Sequence, residues 1–138
     1  MTSFRVERLR FSARDVDAWA AVDEKFRNWP VVYTLDDEKR VYVGQTTSAR
    51  SRMHQHLGSA YKRSLTRARV VLDDEFNQSV CLDLESHLIA WFAGEGRLQP
   101  LNGNGGMSRA DYFDRERYRK SFGAIFDALR EEGLFAET

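Results

Sequence analysis

The sequence predicts an α+β (mixed α/β) domain, with a small, mainly antiparallel three-stranded sheet flanked by helices. Three observations predict it. Short β-branched and aromatic runs at residues 31–35, 40–45 and 68–72 have the length and composition of strands. Longer stretches around them carry apolar residues at helical spacing, with capping residues at their starts. The resulting order is α, β-hairpin, α, β, α and a last helix, which packs helices against a small sheet. A chain of 138 residues, 42% hydrophobic and 30% charged, is long enough for one domain with its own core.

Residues 4–11 read as a short extended or strand segment. Ser12 or Asp15 can cap a helix running to about Arg27, with Val16, Trp19, Ala20, Val22 and Phe26 as its apolar positions. Residues 31–35 and 40–45 form a hairpin around the polar turn 36–39. Either a two-residue loop at 37–38 or a four-residue loop at 36–39 sets Tyr33 directly opposite Tyr42. Gly44 ends the second strand, where a missing Cβ lets another group approach closely. Thr46, Thr47 and Ser48 offer caps for a helix to Leu57, stopped by Gly58. After the strand at 68–72, Asn77 or Ser79 caps a helix over 80–93, ended by Gly94. Residues 100–107 form a loop, and a final helix covers about 109–132, with a possible break near Gly123.

Composition narrows the function. The lone cysteine, Cys81, rules out an internal disulfide framework. No apolar run approaches the ~20 residues that span a bilayer, and residues 1–10 lack the apolar stretch of a signal peptide. The expected location is cytoplasmic, with no membrane partner. The formal net charge is zero, yet no Asp or Glu occurs from Lys39 to Leu72, a stretch holding Lys39, Arg40, Arg50, Arg52, Lys62, Arg63, Arg67 and Arg69. Such a one-signed segment is either a solvated basic face or a surface for a phosphate backbone. No GxxxxGK[ST] loop exists, and no Cys/His spacing suits zinc.

Several side chains suggest chemistry. Two phenols facing each other on a hairpin are either a packing pair or a reactive pair. Arg52 and His56, four apart on one helix face, are either an exposed polar face or a phosphate clamp, while His54 points elsewhere. Glu85 has Cys81, Leu88, Ile89 and Phe92 at i−4, i+3, i+4 and i+7, so it sits in or beside an apolar stripe. A carboxylate there either reaches water at the stripe's edge or is paired or metal-bound. One carboxylate with waters and substrate phosphate suits Mg²⁺. His87, two residues on, faces away from it.

Together these residues resemble the GIY-YIG nuclease superfamily. The first motif corresponds to Val31-Val32-Tyr33 and the second to Tyr42-Val43-Gly44. Arg52 follows eight residues after Gly44 and His56 four later. Glu85 lies in Leu84-Glu85-Ser86-His87-Leu88-Ile89, and Pro100-Leu101-Asn102 resembles the segment that closes the family core. The resemblance covers a core at 29–104, inside a single domain 1–138 with an N-terminal extension 1–28 and a C-terminal helical extension 105–138. Asn28 to Tyr33, Asp73 to Asn77 and Leu101 to Gly106 look more narrowly like the module at the front of bacterial helicase-like ATPases, and the ending Glu131 to Phe135 suits such a module's boundary. Three positions depart from the pattern. Val31 replaces a glycine, the gap between the tyrosines is short, and Gln45 stands where some repair nucleases of the family have lysine.

The resemblance implies metal-dependent hydrolysis of phosphodiester bonds, of DNA more than RNA, with Mg²⁺ or Mn²⁺. The implied catalytic set is Tyr33, Tyr42, Arg52, His56, Glu85 and Asn102. Glu85 would ligate the metal and Arg52 clamp a phosphate oxygen. A tyrosine would act on the attacking water, Tyr33 ahead of Tyr42, although a free phenol with a pKa of about 10 is a weak base near neutrality. Gln45, Arg50, Lys62, Arg63, Arg67 and Arg69 are the expected nucleic-acid contacts. A downstream ATPase or helicase domain is the implied partner, with DNA repair or phage defence as the setting. The other reading is a binding or targeting module of such a protein, with little catalysis.

Overall fold

A computed structural model describes residues 4–102 and 111–134. In chain order its elements are β1 (Arg5–Arg10), α1 (Ala13–Ala20), a short 3-10 turn (Glu24–Phe26), β2 (Val31–Asp36), β3 (Arg40–Thr46), α2 (Ala49–Leu57), β4 (Arg67–Leu72), α3 (Gln78–Glu95), β5 (Gln99–Pro100) and α4 (Arg115–Glu131). The α+β class stands, but the sheet has five strands in the order β1-β4-β2-β3-β5, not three. All neighbours are antiparallel except β3 and β5, which run parallel.

Strand alternation sorts the core into two layers. Val32 of β2, Val41 and Val43 of β3 and Val71 of β4 face α3 and α4, meeting Leu84, Leu88, Phe92, Phe122, Ile125 and Leu129. Val31, Tyr33 and Leu35 of β2, with Ala68, Val70 and Leu72 of β4, face α1 and α2, meeting Val16, Trp19 and Met53. Buried on both sides, β2 is apolar at four of its six positions, Thr34 and Asp36 being the exceptions, as suits a central strand. No helix among the described residues is long and apolar enough to cross a membrane.

Local chemistry moves several expected boundaries. Ser12 does cap α1, accepting from the Asp15 N–H, but the helix ends at Ala20 rather than near Arg27. Asp23 then caps a separate 3-10 turn by accepting from the Lys25 N–H. Asn77 caps α3 through the Val80 N–H. That helix continues past Gly94 to Glu95 and is closed by Gly96 in the left-handed conformation (φ 81°). α4 passes through Gly123 without a break. Residues 103–107 of the expected loop and residues 109–110 of the expected last helix lie outside the described residues.

The hairpin turn also differs from expectation. The Asp37 carboxylate accepts from the N–H groups of Lys39 and Arg40, and its own N–H donates to the Arg40 carbonyl. Glu38 and Lys39 therefore form the loop tip. Tyr33 lies opposite Gly44, and Tyr42 lies opposite Leu35. The shift amounts to two residues, so both tyrosines keep the same face and become diagonal neighbours.

Candidate functional site: two phenols, a histidine and an unpaired basic group

Gly44 is what lets the site form. A Cβ built there would fall on the hydroxyl and ring of Tyr33. The ring thus crosses the second strand at the one position that leaves room for it, and is wholly buried. Its Oη and His56 Nε2 share a hydrogen bond of 2.6 Å. Burial of the α2 face that carries Met53 brings His56 inward with it. The imidazole also meets the Tyr42 ring edge-on, with centroids 4.9 Å apart, while the two tyrosine rings are 6.3 Å apart. Three rings from β2, β3 and α2 form one cluster.

Cations surround it. Lys62 Nζ stands 3.9 Å from the centroid of the half-buried Tyr42 ring, a cation–π contact. Arg52, exposed one helical turn before His56, lies within range of both phenol oxygens and donates to Gln55 at 3.0 Å. These charges act on the buried groups. Desolvation holds the His56 imidazole down at about 4, with Lys62 and Arg52 adding to the effect. Burial, then the neighbouring Tyr42, push the Tyr33 phenol well above its ordinary value, against the pull of Arg52. At neutral pH both stay uncharged, held by one short hydrogen bond.

Glu85 approaches from α3, on the other side of the sheet, past the end of β3. Burial raises its carboxyl above the usual range, opposed by the facing Gln45 N–H and by Arg52. Its charge is felt by Tyr33, and by the Cys81 thiol, which burial and Glu85 push up to about 12. The carboxylate therefore joins the cluster from the opposite layer, as its place beside an apolar stripe suggests.

Asn102 does something other than touch these groups. Its side-chain amide accepts from the Val43 N–H at 3.0 Å and donates to the Val43 carbonyl at 2.8 Å. The Leu101 N–H donates to the Val41 carbonyl, and Gln45 N–H faces Glu85. The outer edge of β3 is thus completed by β5, then by a side-chain amide, then by a carboxylate. Asn102 aligns the strand that bears Tyr42 and Gly44. Pro100 fits because its missing N–H is not needed in this pairing.

The basic segment is only partly free. Arg50 is bonded to Asp17 at 2.9 Å, and His54 reaches the same carboxylate at 2.8 Å, tying α2 to α1. Arg40 pairs with Asp37, and Arg67 pairs with Asp36. Arg69, expected among the nucleic-acid contacts, is buried on the α4 side of the sheet, the face opposite the aromatic cluster, and bonded to Glu132 at 2.7 Å. Lys39, Arg52, Lys62 and Arg63 have no carboxylate partner among the described residues, and Arg52 and Lys62 stand at the aromatic cluster. Gln45 is half-buried at the end of β3. The sequence named Lys62 as a phosphate contact but gave no signal that it stacks on Tyr42.

Comparison with the profiles of known families, with characterised proteins and with solved structures gave no match to this chain.

A divalent cation can be weighed against the donor set itself. No cage of three or more His, Cys, Asp or Glu side chains occurs among the described residues. A cation that keeps several waters and takes phosphate oxygens needs only one or two carboxylates. Glu85, a partly exposed carboxylate within the field of Arg52, fits that kind of ligand set and not a closed structural site.

Proposed function

We propose that this chain is a metal-dependent endonuclease that hydrolyses phosphodiester bonds in nucleic acid, DNA in the first instance. One observation carries the reading. Two phenols, a neutral histidine, two cations without carboxylate partners and one desolvated carboxylate converge from β2, β3, α2, α3 and the turn after α2. A packing core has no use for unpaired cations at an aromatic cluster, whereas a phosphate supplies the missing negative charge.

In this mechanism Arg52 and Lys62 bind the non-bridging oxygens of the scissile phosphate and stabilise the charge that grows on them. Tyr42, half-buried and reachable from solvent, orients the attacking water and, in its phenolate form, takes that water's proton as the water oxygen bonds to phosphorus and the P–O ester bond breaks, the leaving oxygen then taking a proton from solvent. The sequence favours Tyr33 for that role. The complete burial of Tyr33 and its bond to His56 support Tyr42 in that role instead, with Tyr33 and His56 as the rigid backing of the site. Glu85 would hold Mg²⁺ or Mn²⁺, which when bound supplies neutralisation of phosphate and leaving-group charge. Asn102 keeps β3, and so Tyr42, in place. Resemblance to the GIY-YIG superfamily supports the same assignment.

The test incubates the chain with supercoiled plasmid and circular single-stranded DNA in Mg²⁺, Mn²⁺ or EDTA, beside Tyr42→Phe and Arg52→Ala. Cleavage that requires metal and falls about 100-fold or more in both variants is expected. Binding without cleavage in either metal would instead make the domain a targeting module for a partner ATPase.

A further inference from the structure

Beside the cluster lies an aromatic side chain that the mechanism leaves unused. Tyr61 is 60% exposed, although it immediately precedes Lys62, whose Nζ rests on Tyr42. It makes no hydrogen bond or ring contact among the described residues. Its backbone is nonetheless fixed. The N–H groups of Lys62 and Arg63 both donate to the Ser59 carbonyl, the Leu65 N–H donates to the Lys62 carbonyl, and Leu65 is buried in the α1/α2 layer. A short, anchored turn thus presents a bare aromatic ring just before Lys62 and Arg63, with Arg52 on the preceding helix.

We propose that this turn is a base-stacking platform and that the substrate is nucleic acid with an unpaired strand at the site of cleavage. The inference rests on the nuclease reading above and specifies its substrate class. An exposed ring followed directly by two cations matches what single strands offer, a phosphate track with π-faces beside it, and each stacked base contributes sequence-tolerant affinity. A closed duplex keeps its base faces stacked on one another, so Tyr61 would gain nothing from it. The turn places the ring one residue from the cation on Tyr42, so the stacked base lies next to the scissile phosphate.

Fluorescence anisotropy on the whole 138-residue chain in EDTA tests this, with a labelled single-stranded oligonucleotide, its blunt duplex, and the same strand carrying abasic positions. Tyr61→Ala should weaken single-strand binding about 5- to 150-fold, leave duplex binding unchanged, and add no further loss on the abasic strand. Tyr61→Trp should retain single-strand affinity. Arg63→Ala should weaken both forms and lower the salt slope by about one. Equal losses on strand and duplex for Tyr61→Ala, or no loss at all, would overturn the platform while leaving cleavage by the wild type untouched. Failure of the wild type to bind any of these DNAs at low salt would remove the nuclease reading together with it.

Discussion

Two carboxylates two residues apart on α3 meet opposite fates. Asp83 is fully buried among partners: Arg119 donates to it twice, at 2.8 and 3.0 Å, and the Tyr112 hydroxyl donates at 2.7 Å. Despite burial, those hydrogen bonds and the nearby His87 hold its carboxyl below the usual range. Glu85 is half-buried, faces a single backbone N–H, and is pushed the other way. The first arrangement is complete in itself and joins α3 to the start of α4. The second meets one backbone N–H and the charge of Arg52. A buried ion pair with all its partners holds the fold together, whereas a desolvated carboxylate short of partners suits, under the nuclease proposal, a position that a ligand completes.

The largest way to break the comparison is at Asp83. Asp83→Ala removes the buried carboxylate to which Arg119 and Tyr112 donate and should lower stability by about 3 kcal/mol, read from the midpoint of a urea melt. Asn102→Ala comes next. It removes both hydrogen bonds to Val43 and should cost about 2 kcal/mol, with cleavage reduced because the strand bearing Tyr42 loses its alignment. A melt as stable as the wild type would show that β3 does not need the clamp.

A pH series sharpens the contrast. His56 is held at about 4 in the folded chain against an ordinary 6.5, so the unfolded chain binds its proton first. Stability should therefore fall as pH drops from 6.5 toward 4, by up to about 1.4 kcal/mol per unit, and His56→Gln should flatten that slope. Asp83 works in the same direction at lower pH, since a lowered carboxyl contributes stability that disappears as pH falls through its folded value. Glu85 has the opposite sign. Its raised carboxyl favours the folded state in acid, and that contribution is lost as pH rises through the folded value. Glu85→Gln should then leave the protein at neutral pH as stable as the wild type or up to about 1 kcal/mol more stable.

Much of this was legible in the sequence, for reasons particular residues show. Asn77, one of the two caps expected for α3, starts that helix; Gly44 marks a close approach, and the spacing of Cys81, Leu88, Ile89 and Phe92 puts Glu85 in or beside a core face. What escaped depended on contacts between distant segments. The hairpin register was fixed by the Asp37 side chain capturing two N–H groups, which loop length alone does not reveal. β5 is two residues long and exists only through β3. The acid-free stretch from Lys39 to Leu72 looked uniformly basic, yet Asp17, Asp36, Asp37 and Glu132 neutralise Arg50, Arg67, Arg40 and Arg69. Only folding shows that Arg52 and Lys62 are the cations left at the phenols.

The central claim is that Glu85 is held for chemistry and not for stability. Its most direct test measures metal-dependent DNA cleavage and thermal melting together for the wild type and Glu85→Gln. Cleavage reduced by about 100-fold or more, with a melting temperature equal to or above that of the wild type, is the expected result. A Glu85→Gln protein that cleaves at the wild-type rate, or one that unfolds as readily as Asp83→Ala, would contradict it.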